Sequence, residues 1–193
     1  MHTLFINACV RPESRTKALA DRLLAQLPGT FDVLNLEFEG IEPLNDSRLL
    51  LRDDILAAGD LDHPMLEYAR QFAQADMIVI AAPYWDLSFP ALLKTYIEAI
   101  NVNGITFRYS EEGIPMSLCR AKRAVYLTTA GGPIVSDEYG FGYIKGLFTL
   151  FFGIEDVAQV KVEGLDIIGA NIDALLEGGR HGVDDYIASR SWE

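Results

Sequence analysis

Cysteine is scarce in this chain: Cys9 and Cys119 are the only two among 193 residues. Two thiols cannot build a disulfide framework, a four-cysteine zinc site or a cysteine-ligated iron–sulfur cluster. Histidine is equally thin. His2, His63 and His181 are scattered without ligand spacing, so they read as surface or packing residues and no metal site is expected. Positive charge is short as well, with 16 Lys and Arg against 28 Asp and Glu and a formal net charge of −12. Such a surface repels nucleic acid and anionic membranes, which argues against both as partners. No apolar run reaches the ~18–20 residues needed to span a bilayer. The N-terminus enters a strand directly, without the basic start and apolar core of a signal peptide, so the cytoplasm is the default location. The familiar glycine signatures are missing too. There is no G-x-G-x-x-G turn, and no P-loop with its Lys-Ser/Thr pair, so nucleoside triphosphate hydrolysis is not expected.

What is present is a globular composition, half hydrophobic, with no repeat and no clear linker, which predicts one domain over 1–193. Apolar runs predict strands over Thr3–Ala8, Phe31–Leu36, Met77–Ala82, Arg123–Thr129 and Val157–Val162. Helical spacing predicts helices over Arg15–Leu27, around Arg48–Ala57, over His63–Ala75 with Asp62 as cap, and over Phe89–Ile100 with Pro90 in its first turn. Tyr143–Phe152 and a glycine-interrupted Asn171–Ala188 follow, and Ile105–Leu118 reads as an extended excursion or hairpin. Strands alternating with helices call for a parallel sheet covered on both faces.

In such a sheet, ligands bind outside the carboxyl ends of the strands. Three loops leave such ends. Cys9–Thr16 crowds two hydroxyls, Ser14 and Thr16, and the cations Arg11, Arg15 and Lys17 around a helix start. Unpaired amides and a partial positive charge at that helix end suit a phosphate. The second loop, Pro83-Tyr84-Trp85-Asp86-Leu87, offers two aromatics and main chain that can lie along a flat ring. The third, Thr128-Thr129-Ala130-Gly131-Gly132, offers compact backbone for close approach to a ligand edge. A flavodoxin-like strand order, 2-1-3-4-5, would bring the three loops together. A phosphate at one end and a planar ring at the other describe flavin mononucleotide (FMN).

With these loops placed, the chain resembles the flavodoxin-like NAD(P)H:quinone reductase and FMN-dependent azoreductase family. The likeness rests on Cys9–Leu19, Ala82–Ile97, Gly104–Gly113, Thr128–Gly132 and Phe152–Asp156, in the family's order. It implies that Ser14, Arg15 and Thr16 hold the FMN phosphate, with Cys9 at a position often occupied by serine and Arg11 adding charge. It implies that Tyr84, Trp85, Asp86 and Leu87, after Pro83, run along the isoalloxazine, and that Thr129, Ala130, Gly131 and Gly132 meet its pyrimidine end. Asp86 stands where azoreductases commonly carry asparagine, and Ala130 where they often carry arginine. Phe107 and Tyr109 are implied pocket walls near a homodimer interface. The implied activity is hydride transfer from NADH or NADPH to the flavin, then two-electron reduction of a quinone, an azo compound or a similar flat acceptor. No side chain is nominated as catalytic acid or base, because the flavin carries the chemistry. The rival reading is a flavodoxin-type electron carrier that docks protein partners. A response-regulator-like domain fits less well, since it needs paired acids where this chain has Ala8-Cys9.

Overall fold

The run Met77–Ala82 has no polar residue for either face, so a strand made from it needs cover on both sides. A computed structural model, which describes residues 1–192, supplies that cover. In chain order the elements are β1 (His2–Asn7), α1 (Arg15–Leu24), β2 (Thr30–Asn35), α2 (Asp46–Ala57), α3 (Glu67–Gln74), β3 (Met77–Ala81), α4 (Ala91–Ile100), β4 (Phe107–Tyr109), β5 (Pro115–Ser117), β6 (Arg123–Thr129), α5 (Phe141–Leu150), β7 (Asp156–Val162) and α6 (Ile172–Ala188). Five strands form one sheet in the order β2-β1-β3-β6-β7, and every pairing in it is parallel. This is the expected 2-1-3-4-5 pattern. The antiparallel pair β4–β5 is a separate hairpin, so the Ile105–Leu118 excursion is the second of its two expected forms.

Alternate residues of the central strands feed two cores. Phe5, Met77, Val79, Val125 and Leu127 face α1 and α6, where Leu19, Leu23, Val183 and Tyr186 meet them. Leu4, Ile6, Ile78, Ile80 and Tyr126 face the other way, onto Phe72 of α3, Leu93 and Ile97 of α4, and Ile144 and Phe148 of α5. Each fully buried aliphatic or aromatic side chain contributes roughly 1.5–3 kcal/mol, so these two layers dominate the fold's stability. Edge strand β2 is different: Leu34 is buried, while Phe31 and Val33 remain exposed.

Several predicted boundaries move for local reasons. Pro90 is not in the first turn of α4 but precedes it as the N-cap, with φ −55° and ψ 145°. A proline also pushes the residue before it out of the helical region, which removes Phe89 from the helix. Asp62 is not the cap of the next predicted helix. The ring Nδ1 of His63 accepts from the Met65 amide at 3.1 Å and caps a 3-10 turn, Pro64–Leu66, that leads into α3. The glycines of α6 do not interrupt it, and Asn171 caps it by accepting from the Ala174 amide at 3.1 Å. Among the described residues, no helix is long and apolar enough to cross a membrane.

The glycines of α6 also show how closely it lies on the sheet. A methyl group at Gly179 would sit 2.3 Å from Cγ2 of Val162 and 3.3 Å from Cδ2 of Leu19, whereas Gly178 has open space. Helix propensity alone favours alanine over glycine by about 1 kcal/mol. Gly178→Ala should therefore stabilise the protein by about 0.5–1 kcal/mol, while Gly179→Ala should destabilise it by about 1–2 kcal/mol through overpacking. Urea unfolding of the pair checks this, and equal shifts would contradict the close packing.

Candidate functional site

All five sheet strands run in one direction, so β1, β3, β6 and β7 release their following loops at one edge. The ladder continues past the strand ends and holds those loops in register. Ala8 donates to the Ala81 carbonyl at 2.9 Å, Ala82 to Leu127 at 3.0 Å, Tyr84 to Thr129 at 3.0 Å and Ala130 to Val162 at 2.9 Å.

The first loop delivers a capped helix end. The Ser14 hydroxyl accepts from the Lys17 amide at 3.2 Å, which leaves its own proton free to be donated. The amides of Arg15 and Thr16 head the helix with no carbonyl one turn behind them. The cations are less available than their number suggests. Lys17 Nζ lies 2.8 Å from Asp21, one turn along the same helix. Arg15 Nη1 donates to the Leu165 carbonyl at 3.2 Å and to Asp166 Oδ1 at 3.1 Å. Arg11 is exposed and, among the described residues, enters no ion pair.

Two of the predicted loop residues serve the scaffold. Thr16 is buried, and its hydroxyl lies 2.6 Å from that of Thr129, so a hydroxyl pair ties the first loop to the third. Cys9 turns inward. Its amide donates to Asn7 Oδ1 at 3.1 Å and its thiol lies 3.6 Å from the Ala81 carbonyl. Burial pushes the Cys9 thiol above its ordinary pKa, against smaller opposing effects of Ser14 and Lys17, so it stays protonated as a weak donor.

The second loop is a tight turn. Trp85 and Ser88 exchange main-chain bonds of 3.1 and 2.7 Å around Asp86 and Leu87, whose φ angles are +51° and +67°. This is the sign pattern of a type I′ turn, normally built from Asn and Gly. Here an aspartate and a leucine hold it at a cost of about 1–2 kcal/mol each. The turn is anchored from outside: Ser88 Oγ donates to the Tyr139 carbonyl at 2.5 Å and the Tyr84 hydroxyl to Ser136 at 3.4 Å. Trp85 and Leu87 stay exposed.

The third loop is compact, with Ala130 buried. A Cβ on Gly131 would fall 2.3 Å from Asp166 Oδ2, whereas Gly132 has nothing within 4 Å. The close neighbour that glycine permits at 131 is thus a protein carboxylate. It belongs to a fourth loop, Gly164–Asp166, which sequence reading passed over. Its amides donate to carbonyls of the third loop: Gly164 to Gly132 at 3.1 Å, Leu165 to Ala130 at 3.1 Å and Asp166 to Gly131 at 2.8 Å. The available signal was the strand-end rule itself, since β7 leaves the sheet at the same edge as β6.

Between these loops lies a cavity of about 180 Å³, lined by Cys9, Val10, Arg11, Glu13, Ser14 and Arg15, by Pro83 and Trp85, and by Asp166, so two carboxylates stand among the donors. The donor set suits a phosphate, with a hydroxyl, first-turn amides and two guanidinium groups. The Trp85 ring suits a flat partner. Of the predicted site residues, Thr16, Tyr84, Asp86, Leu87, Thr129, Ala130, Gly131, Gly132, Phe107 and Tyr109 are not among those lining this cavity. Phe107 is buried in the core with its ring centroid 5.1 Å from that of Phe151, and Tyr109 lies half exposed against it on β4.

A 2-1-3-4-5 parallel sheet with an anion-ready turn after its first strand defines a flavodoxin-like α/β protein. The chain belongs to the flavodoxin-like fold family, whose sequence model matches residues 1–186. It is 40% identical over 185 residues to FMN-dependent NADH:quinone oxidoreductase 2 of Clostridium acetobutylicum, covering 90% of this chain and 91% of that one. It is 37% identical over 186 residues to the FMN-dependent NADH:quinone oxidoreductase of Lachnoclostridium phytofermentans, covering 92% and 93% of the two chains. Among solved structures it is similar to an FMN-dependent NADH-azoreductase from Bacillus anthracis in complex with FMN, with a TM-score of 0.82, 23% identity, and 97% and 98% of the chains covered. That last likeness speaks to the fold alone.

The hydroxyl pair and the strained turn each yield a stability test. Thr16→Val leaves a buried Thr129 hydroxyl without its partner and should cost about 1–3 kcal/mol. The Thr16→Val/Thr129→Val double variant should cost clearly less than the sum of the singles, as a denaturant double-mutant cycle would reveal. Leu87→Gly should raise stability by about 0.5–1 kcal/mol, because relief of positive-φ strain exceeds the entropy of the added glycine. A loss of stability would mean the leucine side chain outweighs its backbone cost.

Proposed function

We propose that this chain is an FMN-dependent oxidoreductase that takes reducing equivalents from NADH and passes two electrons to a quinone, an azo compound or a similar flat acceptor. The observation that carries this reading is the convergence of a phosphate-suited helix end and an aromatic turn on one cavity at the carboxyl edge of the sheet. The curated relatives that span this chain bear names specifying FMN, NADH and quinone, which supports the same cofactor, donor and acceptor class.

When bound, the flavin supplies the chemistry, accepting hydride from the nicotinamide and releasing two electrons to the acceptor. The chain's own residues bind and shield. Ser14, with the Arg15 and Thr16 amides, holds the phosphate, and Arg11 and Arg15 offset its charge. Tyr84 and Trp85 flank the ring system and exclude water. The Asp86–Leu87 turn, held by its own hydrogen bonds and by the segment ending at Tyr139, fixes main-chain groups beside it. Ala130, Gly131 and Gly132 close the far end, and Gly132 leaves room for close approach. No acid or base is required on the protein for hydride transfer itself. Exposed Tyr109, Ile114 and Met116 on the hairpin form an apolar surface that suits a second copy of the chain, with Tyr109 then at the mouth of the partner's site.

Titration of the purified protein with FMN should quench flavin fluorescence, and the loaded protein should oxidise NADH steadily with a soluble benzoquinone. A protein that binds FMN yet turns over only with a protein reductase would instead be an electron carrier. Ser14→Ala should weaken FMN binding about tenfold, by loss of one charge-assisted hydrogen bond, and destabilise α1 by about 1 kcal/mol. Unchanged FMN affinity in that variant would contradict the phosphate assignment.

A further inference from the structure

The cavity wall carries two acids where an anion is to be held, Glu13 and Asp166, and of these Asp166 is the one paired with a cation of the site. Asp166 pairs with Arg15 at the cavity wall, with 3.1 Å between Oδ1 and Nη1, and its Oδ2 lies 2.3 Å from where a Cβ on Gly131 would stand, so a side chain there would displace the carboxylate. Its main chain is fixed in place. The three main-chain bonds from Gly164, Leu165 and Asp166 to the third loop hold its backbone against that loop. The carboxylate therefore stands at the junction of the first, third and fourth loops, on the wall of the same cavity as Ser14.

We infer that Asp166 sets how strongly this site prefers a phosphorylated flavin, by competing with the phosphate for the Arg15 guanidinium. The inference rests on the reading that the Ser14–Thr16 turn holds the FMN phosphate. Two features make the competition a real one. The Arg15 and Asp166 side chains are 43% and 71% exposed, so their pairing is weakened by solvent and can be exchanged. A phosphate brings more negative charge than one carboxylate and three acceptor oxygens, so it can take the guanidinium over. The Leu165 carbonyl, 3.2 Å from the same Nη1, keeps Arg15 at the cavity edge while its charge changes partner. The consequence is selectivity lower than the cations alone would produce: riboflavin, which lacks the phosphate, does not enter this competition, while FMN does.

The test compares dissociation constants for FMN and riboflavin, read by flavin fluorescence quenching on the whole chain. Asp166→Asn keeps the backbone amide bonded to Gly131 and removes the charge. FMN binding should tighten about three- to tenfold, with riboflavin affinity unchanged within about twofold. The gain should be larger with Arg15 present than in an Arg15→Gln background. An equal or larger gain in that background would overturn the competition, because Asp166 would then act as a bare repulsive charge. Weakening of both ligands together would also overturn it, marking Asp166 as a structural tie; Asp166→Ser repeats the measurement if the asparagine variant folds poorly. Wild-type protein that binds riboflavin as tightly as FMN would remove the phosphate reading itself. Wild-type preference for FMN that Asp166→Asn leaves unaltered would remove only the role of Asp166.

Discussion

The middles of strands β1, β3 and β6 are buried on both faces, and the rest of the molecule follows from covering them. A strand of this kind is stable only in the middle of a sheet with helices above and below. Helical crossovers between parallel strands supply that cover, and crossovers of one hand bring every strand back in the same direction. The result places the β1, β3, β6 and β7 exits on one edge. The edge that carries the candidate site is thus a by-product of burying Ile78, Val79 and Ile80.

At that edge, polar groups are arranged with economy. The chain is strongly acidic, and of the three cations clustered after β1, Lys17 and Arg15 already face carboxylates. Local positive character comes as much from the helix end and its unpaired amides as from side-chain charge. The Thr16–Thr129 hydroxyl pair joins two loops that are 113 residues apart, at a place where unsatisfied buried groups would be costly. The Asp86–Leu87 turn goes the other way and keeps a backbone cost in place, braced by Ser88 and Tyr84. Strain of this kind persists where surrounding contacts over-determine the conformation, and it concentrates at functional turns.

The sheet was legible because its signal is local. Five apolar runs separated by helical spacing name the strands, and the observed strand over Arg123–Thr129 has the predicted bounds. The helix ends were less legible, since Pro90 and His63 act through capping geometry that composition does not reveal. Sequence also pointed to Ser14, Arg15, Pro83 and Trp85, which line one cavity in the structure. It did not show that Cys9 turns its thiol inward, that Phe107 packs into the core, or that Arg15 meets Asp166, 151 positions away. Each depends on a contact between distant segments.

By itself, then, the chain's residue order determined the parallel, two-sided architecture and the edge at which the loops of the candidate site gather, because hydrophobic periodicity and strand direction are properties of short segments. Which hydroxyl faces a ligand and which faces another hydroxyl, and which guanidinium is already held by a carboxylate, were decided only when the loops met. Hydrogen bonds and ion pairs act over a few ångströms. Their partners are chosen by proximity in the folded molecule, not by position along the chain.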